Sequence, residues 1–481
     1  MKKSRSGAGS RWWGWVVAAA GAAVVLAGVA AWGLVDPLSV SEPKERAGAI
    51  QAAFTIAFGF GGLATLGLFT RRQWHQERVH EHERQVAADA RRDSERAYEH
   101  QRRVADEARH DAEQRRITEQ YMKAVEQLGH EKAPVRLGGL YALDRLGRNH
   151  PEQRQVIAEV WCAYLRRRYE PPAAILEEET SRGTSAAEDA DGASGRAEGA
   201  DAEAIDEYEV RMTAQRLLIA HLKDPRPKAE RDEARPEETE EYWHLDQVDL
   251  TGATLVEANF RGCRLPKLKA DHARFHRLTW FIGVYFEGDA LFGGARFEGN
   301  AWFTDARFER HVWFSRARFK EHTGFSKVRF GGEAWYDRAL FESSAWFDEA
   351  RFSGDAVFMN ARFEDDTWFS SARFGDGAGF VGARFEGVAG FGGALFEGGV
   401  WFDGARFGTA VGFRGARFKG SASFTNLASG EAGDEPVGPP RIEMRDVVVE
   451  RIDSEGRAHV WPPGWEPVRE GEEWRMARVG A

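Results

Sequence analysis

Large apolar residues recur through the second half of the chain at nearly fixed spacing. Leu245, Leu250, Leu255, Phe260 and Leu265 stand five residues apart, and Val248, Ala253, Ala258 and Cys263 precede the last four by two positions. From Phe275 the ladder continues as Phe281, Phe286, Phe292, Phe297, Phe303 and Phe308, passes through Tyr336 and Phe341, and ends at Phe413, Phe418 and Phe424. There the gaps alternate between six and five, so the pattern repeats every eleven residues. A small or β-branched residue two positions before a large one shares its face in an extended chain. The chain must then turn every five or six residues to keep that face inward. Such a period, sustained over this length, specifies a solenoid. An eleven-residue period also suits an α-helical supercoil. On a helix, however, steps of five and six would split the Phe residues into two stripes, and the pairs Gly331-Gly332, Gly392-Gly393 and Gly398-Gly399 disfavour long helices.

Units such as Ala253-Thr254-Leu255-Val256-Glu257 and Ala258-Asn259-Phe260-Arg261-Gly262 resemble the pentapeptide-repeat family, and the resemblance spans residues 243–425. The later rungs resemble its Phe-rich variant, in which alternate faces carry one extra residue. The resemblance implies a right-handed quadrilateral parallel β-helix, two eleven-residue periods making one coil. About eight coils rising roughly 4.8 Å each would then stack. Each buried Phe contributes roughly 2 to 3 kcal/mol against the entropy of ordering the chain. Both ends of such a stack need covering, because an open coil exposes unpaired strand edges. The segment Val460-Trp461-Pro462-Pro463-Gly464-Trp465 is the expected C-terminal cap.

The residues just before the rungs face outward by the same alternation, and they are sorted. One register carries mostly Arg, including Arg307, Arg318, Arg351 and Arg362; the other carries Trp302, Trp313, Trp335, Trp346, Trp368 and Trp401. These ten residues are the candidate interaction surface. Two readings stand side by side: exposed aromatic rows mark a binding face, or Trp stacking and Arg–carboxylate pairing merely dress the coils.

The other end of the chain reads as a membrane anchor. Trp12 to Val35 and Ala47 to Thr70 are two runs of 24 residues without a charge, and about 20 apolar residues suffice to cross a bilayer as a helix. A two-helix transmembrane hairpin over 12–70 is therefore expected, preceded by a basic N-terminus, 1–11. Lys2, Lys3, Arg5 and Arg11 before it and Arg71, Arg72 and Arg78 after it place both termini in the cytoplasm, at the inner face of the cell membrane.

Residues 71–116 are crowded with charge and lack Gly and Pro, which predicts a long helical stalk. The thin stripe Val79, Val86, Ala90, Ala97 and Val104 suits a weak coiled coil, one route to a homo-oligomer; the β-helix is another. A small helical module over 117–170 follows, with helices at 117–128, 134–147 and 151–168, started by Pro134 and Pro151 and stopped by Gly129 and Gly147. Val135-Arg136, Ala142-Leu143 and Leu146-Gly147 resemble a HEAT-type helix. Residues 171–242 form an acidic linker, expected to be disordered apart from one amphipathic helix at 208–222 that docks on the module or caps the β-helix. The β-helix occupies 243–425 and a cap or tail 426–481. This order of hairpin, charged helix, small module and Phe-rich repeats resembles membrane-associated pentapeptide-repeat proteins of actinobacteria.

Charge refines this picture. The chain of 481 residues has a formal net charge of −10, yet Glu177–Glu209 alone holds twelve acidic and two basic residues. From Leu245 to Phe424 there are 23 of each sign, so the repeats are neutral. A neutral rod argues against nucleic acid as a partner and against DNA mimicry toward a topoisomerase, the runner-up function that the family suggests. Cys162 and Cys263 fall in different domains and read as buried small residues. No phosphate-cradling Gly loop, metal-ligand spacing or nucleophile–base arrangement stands out, and His272 and His276 read as turn residues. No catalytic residue, cofactor or metal is expected. The sequence thus predicts a non-enzymatic scaffold, tethered to a lipid bilayer, whose β-helix meets an unidentified protein partner.

Overall fold

A computed structural model describes residues 43–176, 196–231, 235–429, 441–450 and 459–480, with a few isolated positions before residue 43. The chain divides into two compact units, Met1–Glu113 and Gln114–Ala481.

The first long element, α1, runs unbroken from Pro43 to Leu128, 86 residues. It contains the second expected span, the expected stalk and the first expected module helix in one piece. The physical reason lies in the sequence: between Ala47 and Leu128 no Pro interrupts the helix, and from Arg71 to Arg116 there is no Gly either. Among the described residues no helix is long and apolar enough to cross a membrane. The expected hairpin is therefore not found. Most of its first span, 12–35, and many side chains of its second lie outside the described residues.

In the second unit α1 ends at Gly129, whose N–H donates to the carbonyls of Val125 and Glu126. Helix α2 spans Ala133–Asn149, with Pro134 in its first turn, and a 3₁₀ turn at Pro151–Gln153 leads into α3, Arg154–Arg166. Helix α4 spans Arg196–Leu222 and so begins twelve residues before the amphipathic helix expected from the sequence. Ile117, Leu128, Leu140, Leu143, Ile157, Trp161, Val210 and Leu218 are buried in one core with Leu245, Val248 and the ladder beyond. The helices thus cover the first coil of the solenoid. Gln155 of α3 bonds the carbonyl of Gln247 and the N–H of Asp246, and Gln215 of α4 bonds both backbone groups of Val256.

Residues 247–423 form a right-handed parallel β-solenoid of about eight turns. Its four parallel sheets have ten, nine, eight and eleven strands, the last including an antiparallel hairpin. We name them faces A to D in chain order. In the repeats, face A runs from Gln247–Asp249 through Val312–Trp313, and face B from Thr254–Val256 through Arg318–Phe319. Face C runs from Thr279–Trp280 through Ala301–Trp302, and face D from Arg264–Leu265 through Arg307–Phe308. Val248 pairs with Leu268 and Arg264 with Tyr285, twenty and twenty-one residues on; Ala301 then pairs with Thr323, a full twenty-two. Five-residue units therefore relax into the five-and-six rhythm within the first coils.

The five-residue steps are β-turns. Ala306 N–H donates to the Phe303 carbonyl at 2.9 Å, closing a turn whose third residue, Asp305, has φ 58°. The same position recurs every eleven residues, as Arg316, Lys327, Arg338, Glu349, Asn360 and Ser371 and later as Gly382, Gly393 and Gly404. Inside, Phe rings stack from coil to coil: Phe303 lies 4.8 Å from Phe325, and Phe347 4.7 Å from Phe369. Rings from opposite faces meet edge to face, as Phe347 and Phe358 do at 5.5 Å and 90°. At the far end Trp461 stacks on Phe424 at 6.0 Å, and the hairpin Trp465–Glu470 with Glu473–Arg478 joins Val448–Val449 on face D.

Candidate interaction surface

The coil geometry fixes where each candidate side chain points. An alternating strand that buries its Ala and Phe must turn the residue between them outward. Consecutive members of the Trp register are eleven residues, or half a coil, apart, so they fall on opposite faces. Trp313, Trp335 and Trp401 lie on face A; Trp302, Trp346 and Trp368 lie on face C. The Arg register splits likewise, with Arg318 and Arg362 on face B and Arg307 and Arg351 on face D. The ten candidates therefore do not form one surface. They form four rows on four sides.

The Trp rows are half-buried, and glycine makes room for them. On face C, Gly324 sits between Trp302 and Trp346, and a Cβ there would meet the Trp302 ring at 2.5 Å. Because it is absent, the two indoles approach to 6.0 Å across a whole coil. Gly390 carries the Trp368 ring in the same way, a Cβ there coming to 2.3 Å. On face A, Trp313 and Trp335 lie 4.7 Å apart and His311 stacks on Trp335 at 6.1 Å. Trp401, 41% exposed, is the most open of the candidate indoles. Coil-to-coil packing accounts for most of this surface, while each row still presents one apolar edge.

The Arg rows are charged on their outside and partly matched. On face B, Arg318 binds Glu342 of the next coil, a bond that pushes the guanidinium pKa up, and Arg362 reaches Glu364 at 3.3 Å. On face D, Arg307 meets Glu309 at 3.0 Å, and the Tyr285 hydroxyl donates to the same carboxylate. Arg351 is exposed. Turn carboxylates add bonds between coils: Asp348, Asp355 and Asp366 each accept a backbone N–H from 22 residues on, those of Ser370, Gly377 and Val388. His272 occupies a left-handed turn position and His276 is half-buried, its pKa lowered by burial. Among the described residues no group of His, Cys, Asp and Glu could hold a metal.

The polar concentration that sequence reasoning missed lies where the helices meet the first coils. Arg211, only 4% exposed, binds Glu207 at 3.0 Å and donates to the carbonyls of Leu165 and Arg167. Arg136 joins Glu207 at 3.1 Å, and the Tyr164 hydroxyl donates to it at 2.7 Å. His221 lies between the Asp144 carboxylate, 2.6 Å from Nε2, and the Glu241 carbonyl, 2.9 Å from Nδ1. Both partners are acceptors, so both bonds form together only when each nitrogen carries a proton. Trp243 stacks on the imidazole at 3.7 Å. Burial pushes the Asp144 carboxyl upward, but the His221 bond and charge, with Arg148, hold it below its ordinary range. Burial pushes the Cys162 and Cys263 thiols up to about 12, which leaves both unreactive. The contacts that join different elements, such as Arg211 to Leu165 and His221 to Asp144, lie 40 to 80 residues apart in sequence, and no local motif announces them.

A family model described as pentapeptide repeats (9 copies) matches residues 270–318, 310–351, 347–394 and 380–427, and a second, pentapeptide repeats (8 copies), matches 244–277. No curated protein and no solved structure matches the chain. The two family matches cover the repeats and carry nothing about a membrane or a bacterial group.

Proposed function

The chain belongs to the pentapeptide-repeat family through residues 244–427, and from that premise we propose that it is a non-enzymatic scaffold whose β-helix binds a protein partner. One observation carries this reading. Apart from Tyr336 and the hydroxyls of Thr279, Thr323 and Thr367 the inward side chains of the repeats are apolar, so nearly all the chemistry of the β-helix is displayed outside, in rows of like residues one coil apart. Such rows offer flat, repetitive contact rather than a pocket in which polar groups converge. The neutral charge of the repeats counts against the DNA-mimic alternative.

The test is proximity labelling from the full chain, compared with a Trp302→Ser/Trp346→Ser/Trp368→Ser variant that strips face C. A specific partner set that shrinks in the variant supports the reading and assigns that face. The same labelling pattern as a free labelling enzyme would overturn it. A supercoiling assay with the full chain addresses the alternative, and unaltered topoisomerase activity is the expected result.

Membrane attachment, as a multi-pass protein with both termini cytoplasmic, is a further part of the proposal and rests only on the two uncharged runs, 12–35 and 47–70, and the basic residues that flank them. Fractionation decides it: the full chain should sediment with membranes and residues 71–481 should not. Sedimentation of both would sink the anchoring role.

A further inference from the structure

Arg ladders run along faces B and D, and they differ in the residue that follows each inward rung. On face B the residue after the inward Phe or its equivalent is Glu298, Glu342, Glu364 or Glu386 in four coils. On face D the same position in three consecutive coils is Gly331, Ser353 and Gly375. There Arg329, Arg351 and Arg373 stand in register, one coil step apart. Like charges directly opposite each other on neighbouring strands repel, and an anion seated between two of them would relieve that repulsion.

The small residues leave a shallow recess of about 320 Å³, lined by Arg351, Phe352, Ser353, Arg373, Gly375 and Glu397. A Cβ at Gly375 would come within 3.1 Å of the Phe352 carbonyl oxygen, a tight approach that the glycine avoids. Both Arg side chains are exposed, and Glu397 at the edge lies 3.8 Å from the Lys419 ammonium. The recess is therefore a concave spot with two guanidinium groups above a floor without side-chain bulk. A planar carboxylate fits between two such groups, with paired N–H donors on either side.

We propose that the Arg351–Arg373 recess on face D docks an acidic, extended segment of the protein partner, one carboxylate seated between the two guanidinium groups. The inference rests on the scaffold reading and names the chemistry of the partner. A nucleic acid fits less well. The basic row is one residue wide, so it would neutralise few charges of a continuous line of phosphates.

The test uses purified full-length chain and a fluorescent oligo-glutamate peptide, read by anisotropy. Arg351→Gln/Arg373→Gln should weaken binding about tenfold, and Arg362→Gln/Arg384→Gln on face B should change it less than about twofold. Added salt should weaken binding to the unmodified chain. Unchanged Trp fluorescence and melting show that the variants remain folded, and both pairs are on the surface. Equal loss in the two double variants, no binding to the unmodified chain, or equally tight binding of an oligo-thymidylate with the same Arg dependence would each overturn the proposal. If the peptide fails to bind while the labelling experiment still finds a specific partner, the recess is lost and the scaffold stands. If the labelling finds none, the scaffold reading fails whatever the peptide does.

Discussion

The β-helix and the helical junction that covers its first coil are both buried, yet they are built from opposite materials. Inside the coils lie Phe, Ala and Val, with hardly a polar atom. At the junction Arg136, Arg154, Arg211, His221, Asp224 and Arg264 are all buried. The difference follows from where backbone groups find partners. Each coil bonds the next, as Phe303 N–H does to the Gly324 carbonyl at 2.7 Å, so the strands of the repeats satisfy their main chain without side chains, which add bonds only at the turns. Helices end with orphan carbonyls. Arg211 satisfies the last carbonyls of α3, and Arg154 donates to the Gly147 carbonyl at 2.9 Å near the end of α2. Joining helices to a solenoid therefore brings buried charge where stacking coil on coil does not.

The largest effect should come from the apolar side. Phe347→Ala removes a ring stacked 4.9 Å from Phe325 and 4.7 Å from Phe369, and should destabilise by about 4 kcal/mol in urea denaturation. A loss under about 1 kcal/mol would mean that the coils collapse around the gap, and the rigid-ladder account would fail. At the junction, Arg211→Met leaves Glu207 short of one cation and three carbonyls short of a donor. The expected cost is about 3 kcal/mol. Hydrogen exchange separates the two cases. Arg211→Met should release the amides of α3 first while the coils stay protected, and uniform loss of protection would break the distinction.

Acid should loosen the junction before the coils without mutation, although hydrogen bonds also hold Asp365 and Asp403 of the coils below the ordinary carboxylate range. Asp144, Asp224, Glu238 and Asp249 all sit at the junction. Burial raises each carboxyl, but hydrogen bonds and charge from His221 and Arg148, from Arg226 and Arg264, from Arg154 and His244, and from Thr251 and Arg166 leave all four below their ordinary values. A carboxylate whose pKa is lower folded than unfolded lends stability above its unfolded value, about 4, and loses it as pH falls through the folded one. The junction should therefore loosen below about pH 4, reported by Trp161 and Trp243, before the parallel sheets melt. A single transition seen equally by Trp fluorescence and far-ultraviolet dichroism would contradict this.

The solenoid was legible in the sequence because its period is local: five- and six-residue steps carry the coil, the inward Phe and the outward register. The split of the Trp row was legible too. Trp302 and Trp313 are eleven residues apart, half a coil, and so must lie on opposite sides. Reading them as one surface came from treating the register as a row before counting faces. The continuity of α1 past Thr70 follows from the absence of a stop signal there, although apolar and charged stretches read as separate elements. The junction was not legible. His221 and Asp144 are 77 residues apart, and Gln155 and Gln247 are 92 apart. Only tertiary packing brings such pairs together, and isolated His, Asp or Gln residues in amphipathic helices carry no period to betray it.

The smallest predicted effect lies at one of the few places where the core breaks its own rule. Tyr336 stands in the ladder between Phe314 and Phe358, stacked at 5.0 and 4.8 Å, and is fully buried. Its hydroxyl oxygen has no hydrogen-bond partner. Burial pushes the phenol well above its ordinary pKa of 10, so the group remains a neutral hydroxyl without an acceptor. An unmet buried hydroxyl costs about 1 to 3 kcal/mol, whereas a Phe in the same stack costs nothing of the kind. Tyr336→Phe should therefore stabilise the protein by about 1 kcal/mol, the lost oxygen volume offsetting part of the gain. A higher urea midpoint with an unchanged slope is the expected result. A lower midpoint would show that the hydroxyl is satisfied within the stack, and the contrast between an unpolar solenoid and a polar junction would then be one of degree.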